Sequence, residues 1–323
     1  MTRYLIRRLL QMIPLLLFIS LLSFMIAELS PGDPVMMYVN PGKKPPTAEQ
    51  LQQLRITFGY DKPVYVRYFI WLGNIFQGNW GYSSRTHAPV MDEINARLPN
   101  TLLLGSASFL LTIILAIPIG VLSAVKRYSF LDYVTTFGAF VGISIPIFWF
   151  AMVLIVIFST NLGWLPSVGM QTLGKNLTGF ARVWDVARHL ILPTIALSIT
   201  SVGAWSRYQR SNMLEVLNQD YIRTARGKGM NERTVIWTHA FRNSLIPMIT
   251  LLGLSLPDLI NGAFITESVF GWPGMGRLGI QAITTRDYPL VMAVTMFSAL
   301  LVVVGNLIAD VLYTAVDPRI RQG

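Results

Sequence analysis

The chain alternates long apolar runs with short basic connections. Six runs are long enough to cross a bilayer: residues 9–27, 101–125, 133–162, 189–206, 244–266 and 288–309. Crossing the hydrocarbon takes about 20 apolar residues. Run 189–206 is marginal by length. Run 244–266 carries one internal charge, Asp258. The first run, about 19 residues, follows a basic start, as a secretory signal would. No small-residue cleavage pattern follows it, so it is expected to stay as a first transmembrane helix.

Between the first two runs lies a long segment, residues 31–99. Thr47 is an N-cap signal before helix formers. After Pro63, the positions Val64, Tyr65, Tyr68, Phe69, Leu72, Ile75 and Phe76 recur at three- and four-residue spacing. That spacing predicts an amphipathic helix along the outer surface, either a packed cap or a docking face for an external partner, with Pro63 in its first turn.

Composition supports a membrane protein. Of 323 residues, 53% are hydrophobic and 13% charged, where soluble domains carry about 25% charged residues. The net charge of +10 follows from basic connections rather than from a nucleic-acid stripe. Arg3, Arg7 and Arg8, then Lys126 and Arg127, then Arg207, Arg210, Arg223, Arg226, Lys228, Arg233 and Arg242, and last Arg319 and Arg321 fall on one side of a six-helix arrangement. That side is predicted to be cytoplasmic, with both termini inside. There is no cysteine, which excludes disulfides, thiolate metal sites and cysteine nucleophiles.

The candidate chemistry is sparse. His87, His189 and His239 are scattered, with no carboxylate cluster beside them, so no metal site is expected in this chain. No membrane serine has a histidine to activate it, so an intramembrane protease is disfavoured. No G-x-x-x-x-G-K-[ST] stretch occurs, so ATP is not expected to bind here. Asp258 near mid-membrane, with Asn261 on the same helix face, is a candidate for lining a translocation pathway; the alternative is a helix–helix hydrogen bond. Asn306 and Asp310 share a face of the last run, where Asp310 is expected to pair structurally.

The connection from Arg207 to Phe241 is long for a passive link. Residues 211–219 favour helix, and Asp220 can cap a short helix through Tyr221, Arg223, Thr224, Ala225 and Arg226. Gly227, Lys228 and Gly229 break it, and Asn231 can cap a second short helix leading to Pro247. Two short helices around a glycine turn form a knob that another surface can approach closely at Ala225 and Gly229. An ordinary basic loop is the alternative.

This block resembles the cytoplasmic coupling loop of permeases from binding-protein-dependent ABC importers. That family has a Glu-Ala-Ala triplet followed by three residues and a Gly. Here Arg223-Thr224-Ala225 stands in the triplet position, with Gly229 at the matching spacing. The departure resembles the dipeptide, oligopeptide and nickel branch. So do Pro31-Gly32-Asp33-Pro34, Asp61-Lys62-Pro63, Gly78-Asn79-Trp80-Gly81, the run from Thr266-Glu267 to Met275-Gly276, Arg286-Asp287-Tyr288-Pro289, and Asp317-Pro318-Arg319. The long outer segment is similar to that of the family's first permease subunit.

The resemblance implies an all-α integral membrane protein with the type I ABC importer (MetI-like) permease fold. It implies a first helix (residues 1–30), an extracytoplasmic segment (31–99), a permease core (100–312) with its coupling loop (207–244), and a tail (313–323). It further implies a second permease subunit as partner, two cytoplasmic ATPases that carry ATP and Mg, an extracytoplasmic substrate-binding protein, and a bacterial or archaeal inner membrane. No cofactor on this chain and no nucleic acid are implied. Peptide is the expected cargo, with nickel or another small solute as the alternative. A secondary transporter driven by an ion gradient is the competing class, and it would need no docking loop.

Overall fold

A computed structural model describes residues 2–30, 47–57, 59–255 and 264–316, with side chains outside 2–7 and 310–316. The described chain is helical apart from turns and one antiparallel bridge between Tyr82 and Pro89. It divides into two compact units, Met1–Leu98 with Leu278–Val303, and Pro99–Arg277 with Val304–Gly323.

In the first unit, α1 (Thr2–Leu29) is followed by α2 (Ala48–Thr57) and α3 (Val64–Phe76). Thr47 and Gln50 form a reciprocal capping box at α2: Gln50 N donates to Thr47 Oγ1 at 3.4 Å, and Thr47 N donates to Gln50 Oε1 at 3.0 Å. The periodicity after Pro63 does become a helix, but Pro63 sits at its N-cap rather than inside its first turn. Proline suits that boundary because its φ is fixed and it has no N–H to satisfy. Asp287 organises the turn after residue 81. Its buried carboxylate accepts from Ser83 Oγ, from Ser84 N at 3.1 Å and from Arg85 N at 3.4 Å. It also accepts from Leu290 N at 3.4 Å, in the first turn of α13 (Tyr288–Val316).

The second unit is built on α4 (Val90–Val125), α5 (Phe130–Ser144), α6 (Ile147–Leu154) and α7 (Gly179–Leu217). Small residues let these helices approach closely. A Cβ on Gly203 of α7 would lie 2.7 Å from the carbonyl oxygen of Ala139 in α5, and one on Gly120 of α4 would lie 2.6 Å from that of Ser206. The side chain of Gln209 in α7 donates to Ser244 Oγ in α10 (Arg242–Leu254) at 2.9 Å.

Among the described residues, four helices are long and apolar enough to cross a membrane. The predicted run 133–162 is not one straight helix. It bends by 106° between α5 and α6, where Pro146 cannot donate to the helical ladder. Counted as one broken span, the pair makes five. The predicted run 244–266 begins as α10, and its centre lies outside the described residues. The marginal run 189–206 is the middle of the 39-residue α7, which starts ten residues earlier. His189 is therefore not near a helix start. It is buried inside α7 with Nδ1 2.8 Å from the Asp185 carbonyl.

Candidate functional site

The region from residue 207 to 244 begins as the end of α7, which absorbs most of the helix-favouring stretch 211–219. A break at Asn218 and Gln219 opens α8 (Asp220–Gly227). Gln219, not Asp220, is the residue before the helix, and it makes no side-chain cap bond. Asp220 lies inside the first turn, where a carboxylate meets the positive end of the helix. It pairs with Arg223 Nη1 at 3.4 Å.

The helix is amphipathic. Ile222 and Ala225 are buried with Val121 and Ala124 of α4, Met213 of α7, and Val235 and Ala240. The expectation that another surface approaches Ala225 is therefore corrected. Ala225 packs inward against its own chain. The exposed face carries Tyr221, Arg223, Thr224 and Arg226.

Gly229 ends this element in a left-handed turn, φ +73°, with open space around its Cα. That conformation is cheap for glycine and strained for most other residues. Met230 N closes the turn onto Ala225 O at 3.3 Å. Arg226 then reaches across it to Glu232, with bonds of 3.1 and 2.7 Å, and holds that carboxyl below its ordinary range. Asn231 caps the next helix, its Oδ1 accepting from Arg233 N at 2.9 Å.

The second helix is not a separate short piece. Its three α-helical residues, α9 (Glu232–Thr234), run through a π-helical stretch, Val235–Phe241, straight into α10, which contains Pro247. The knob is one pinned helix and one turn, seated on the end of a continuous rod. Burial pushes the Tyr221 hydroxyl above its usual pKa, against the opposing pull of Asn243 on that rod.

Two polar ties beside this region were not read from the sequence. Arg210 on α7 grips Asp132 at the start of α5, with Nε and Nη2 at 2.7 and 2.8 Å. Ser123 Oγ and Tyr128 N also donate to Asp132. Ser129 caps this helix, accepting from Asp132 N at 3.3 Å, while the Arg210 partner of Asp132 lies 78 positions away along the chain. The second tie is the buried Glu267 in α11 (Phe264–Val269). It accepts from Thr101 Oγ1 at 2.8 Å and from Arg277 N, in α12 (Met275–Thr284), at 3.0 Å. Beside it, Trp272 Nε1 donates to Asn100 O at 2.9 Å and Asn100 Nδ2 to Pro273 O at 2.8 Å. The shared block around Thr266–Gly276 therefore folds as a clasp on the start of the second predicted span.

Asp258 and Asn261 lie outside the described residues, and so does the side chain of Asp310. Asn306 is exposed on α13. Among the described residues, no three histidine or carboxylate side chains converge as a metal site.

Long apolar helices with a pinned helical knob on a polar connection place the chain in the class of multi-pass membrane proteins. Residues 116–322 match the family of binding-protein-dependent transport system inner membrane components, and residues 1–105 match the N-terminal region of such components. The chain belongs to this family: it is the permease subunit of an ABC importer. It is 49% identical over 322 residues to the oligopeptide transport system permease protein AppB of Bacillus subtilis, covering 99% of this chain and all of that one. It is 42% identical to a putative peptide permease protein of Brucella suis, over 99% of each chain. It is 37% identical to the dipeptide transport system permease protein DppB of Alkalihalophilus pseudofirmus, over 99% of this chain and all of that one.

Proposed function

We propose that this chain forms half of the translocation pathway of a peptide importer and takes its drive from ATPases docked on the exposed face of α8. The observation that carries the coupling reading is the arrangement of α8 itself. Ile222 and Ala225 fix the helix to the transmembrane core, while Arg223, Thr224 and Arg226 are exposed and Tyr221 beside them is half-exposed. A force on that face is passed to α4 and α7 through the buried cluster, and to α10 through the Gly229 turn and the continuous rod beyond. Coupling requires that both ends of such an element bias one two-state equilibrium.

Peptide is the cargo, supported by full-length similarity to oligopeptide and dipeptide permeases. A second permease supplies the other half of the pathway, two ATPases bind ATP and Mg, and a binding protein delivers the peptide from outside. Both termini and α8 face the cytoplasm, as the distribution of Lys and Arg favours. Asp258 and Asn261 line the pathway, Asp258 meeting a peptide amine.

The test is reconstitution of the chain with its co-purifying partners in vesicles. Peptide uptake that needs ATP and collapses without the ATPases supports the reading. Uptake by the chain alone on an ion gradient would replace it with a secondary transporter. Asp258→Asn with unchanged uptake and substrate range would remove the pathway assignment alone.

A further inference from the structure

Helix α3 is built inside out. Its single charged residue, Arg67, turns inward to pair with Glu28 of α1 and stacks on the Tyr60 ring at 5.3 Å. Its outward stripe is aromatic: Tyr65, Phe69 and Phe76 are 68%, 66% and 81% exposed. At 3.6 residues per turn these three lie within about 40° of one another on the helix. Such a stripe facing water would be unfavourable, at about 25 cal/mol per Å² of apolar surface.

The depth at which α3 is anchored says what covers the stripe. The apolar run of α1 ends at Ala27, and Glu28 marks its polar edge. Tyr68 of α3 hydrogen-bonds Ser20 of α1 at 2.8 Å, and its ring meets Phe24 edge-on at 5.5 Å between centroids. At 1.5 Å per residue, Ser20 lies about 10 Å below the Ala27 edge. A second span gives the same depth. Trp80, just after α3, packs edge-on against Phe297 of α13 at 6.2 Å. Phe297 lies about 12 Å inside the Pro289 end of that span. Both contacts fall well within a hydrocarbon core about 30 Å thick. A helix of 13 residues is too short to cross it and has the length of an interfacial or re-entrant segment.

We infer that α3 is seated in the outer leaflet of the bilayer, with Tyr65, Phe69 and Phe76 against phospholipid. The Arg67–Glu28 pair lies at the headgroup edge, where a paired charge is tolerated, and the Ser20–Tyr68 bond satisfies both hydroxyls below it. The aromatic face is a lipid anchor for the outer segment and not a docking face for an external protein. This needs only the membrane reading of α1 and α13, so it stands or falls separately from cargo and coupling.

The chain lacks cysteine, so single thiols can be placed at will. Tyr65→Cys, Phe69→Cys and Phe76→Cys, each spin-labelled in the assembled importer in lipid nanodiscs, are compared by power saturation with oxygen and with a water-soluble nickel chelate. Leu22→Cys on the exposed face of α1 is the lipid reference, and Glu49→Cys on α2 is the aqueous one. Oxygen should dominate at all three α3 positions, as at Leu22. Dominance of the nickel chelate would put the stripe in water, and protection from both reagents would mean a protein covers it; either overturns the assignment. Three positions keep the test alive if one variant fails to insert.

Discussion

Two helices outside the long spans, α8 and α3, are of similar modest length and opposite construction. In α8 the apolar residues Ile222 and Ala225 face the protein, and the charged residues Arg223 and Arg226 face out. In α3 the charge faces the protein and the aromatics face out. The first is the ordinary amphipathic pattern of a helix against water. The second suits a surrounding medium that is itself apolar. The contrast shows that exposure alone does not identify a docking surface. The chemistry of the exposed face, and the depth of the buried one, decide between a partner and the membrane.

The largest expected effect breaks the first helix of this pair. Gly229→Trp puts a bulky residue in a left-handed turn that has free space but a strained backbone, by about 1–2 kcal/mol. Membrane insertion should persist while ATPase association and uptake are lost; Gly229→Asn, which tolerates that conformation, should retain most of both. Normal uptake in Gly229→Trp would contradict the docking assignment.

The platform under α8 comes next. Asp132→Ala leaves Arg210 without its partner and should destabilise the protein by about 3 kcal/mol, read as a lowered Tm in detergent.

A smaller effect tests which way α8 faces. Ala225→Leu forces extra volume into a packed cluster and should cost about 1–3 kcal/mol, whereas Arg223→Ala on the exposed side should leave Tm unchanged. Equal effects from the two would erase the distinction between faces. Smallest of all is Glu232→Gln, which breaks an exposed pair with Arg226. It should change stability by less than about 1 kcal/mol, and less still at high salt.

The hydrophobic pattern already carried much of this architecture. Residues 9–27 and 288–309 lie within α1 and α13, and the periodicity after Pro63 gave α3. The Gly229 turn and the Asn231 cap were legible because glycine and asparagine have specific local conformational roles. What could not be read was tertiary. Ala225 looked like an opening because it is small, yet smallness serves equally at a tight internal contact. Asp132 and Glu267 each needed partners far along the chain, and no local pattern names them. Pro146 allows a kink from its residue type alone, but the size of the bend was not legible, because an apolar run keeps its hydropathy whether or not the helix continues. Asp220 carried a capping residue type, but the chain starts its helix one position earlier.

The claim that α8 is where the ATPases act is tested most directly by placing a photoactivatable benzophenone on Arg223→Cys in the assembled importer. A parallel label on Phe69→Cys serves as the contrast. The account predicts that illumination joins Arg223→Cys to a Walker-motif ATPase and gives no ATPase adduct from Phe69→Cys. An importer that is active yet yields no ATPase adduct at residue 223 would contradict it.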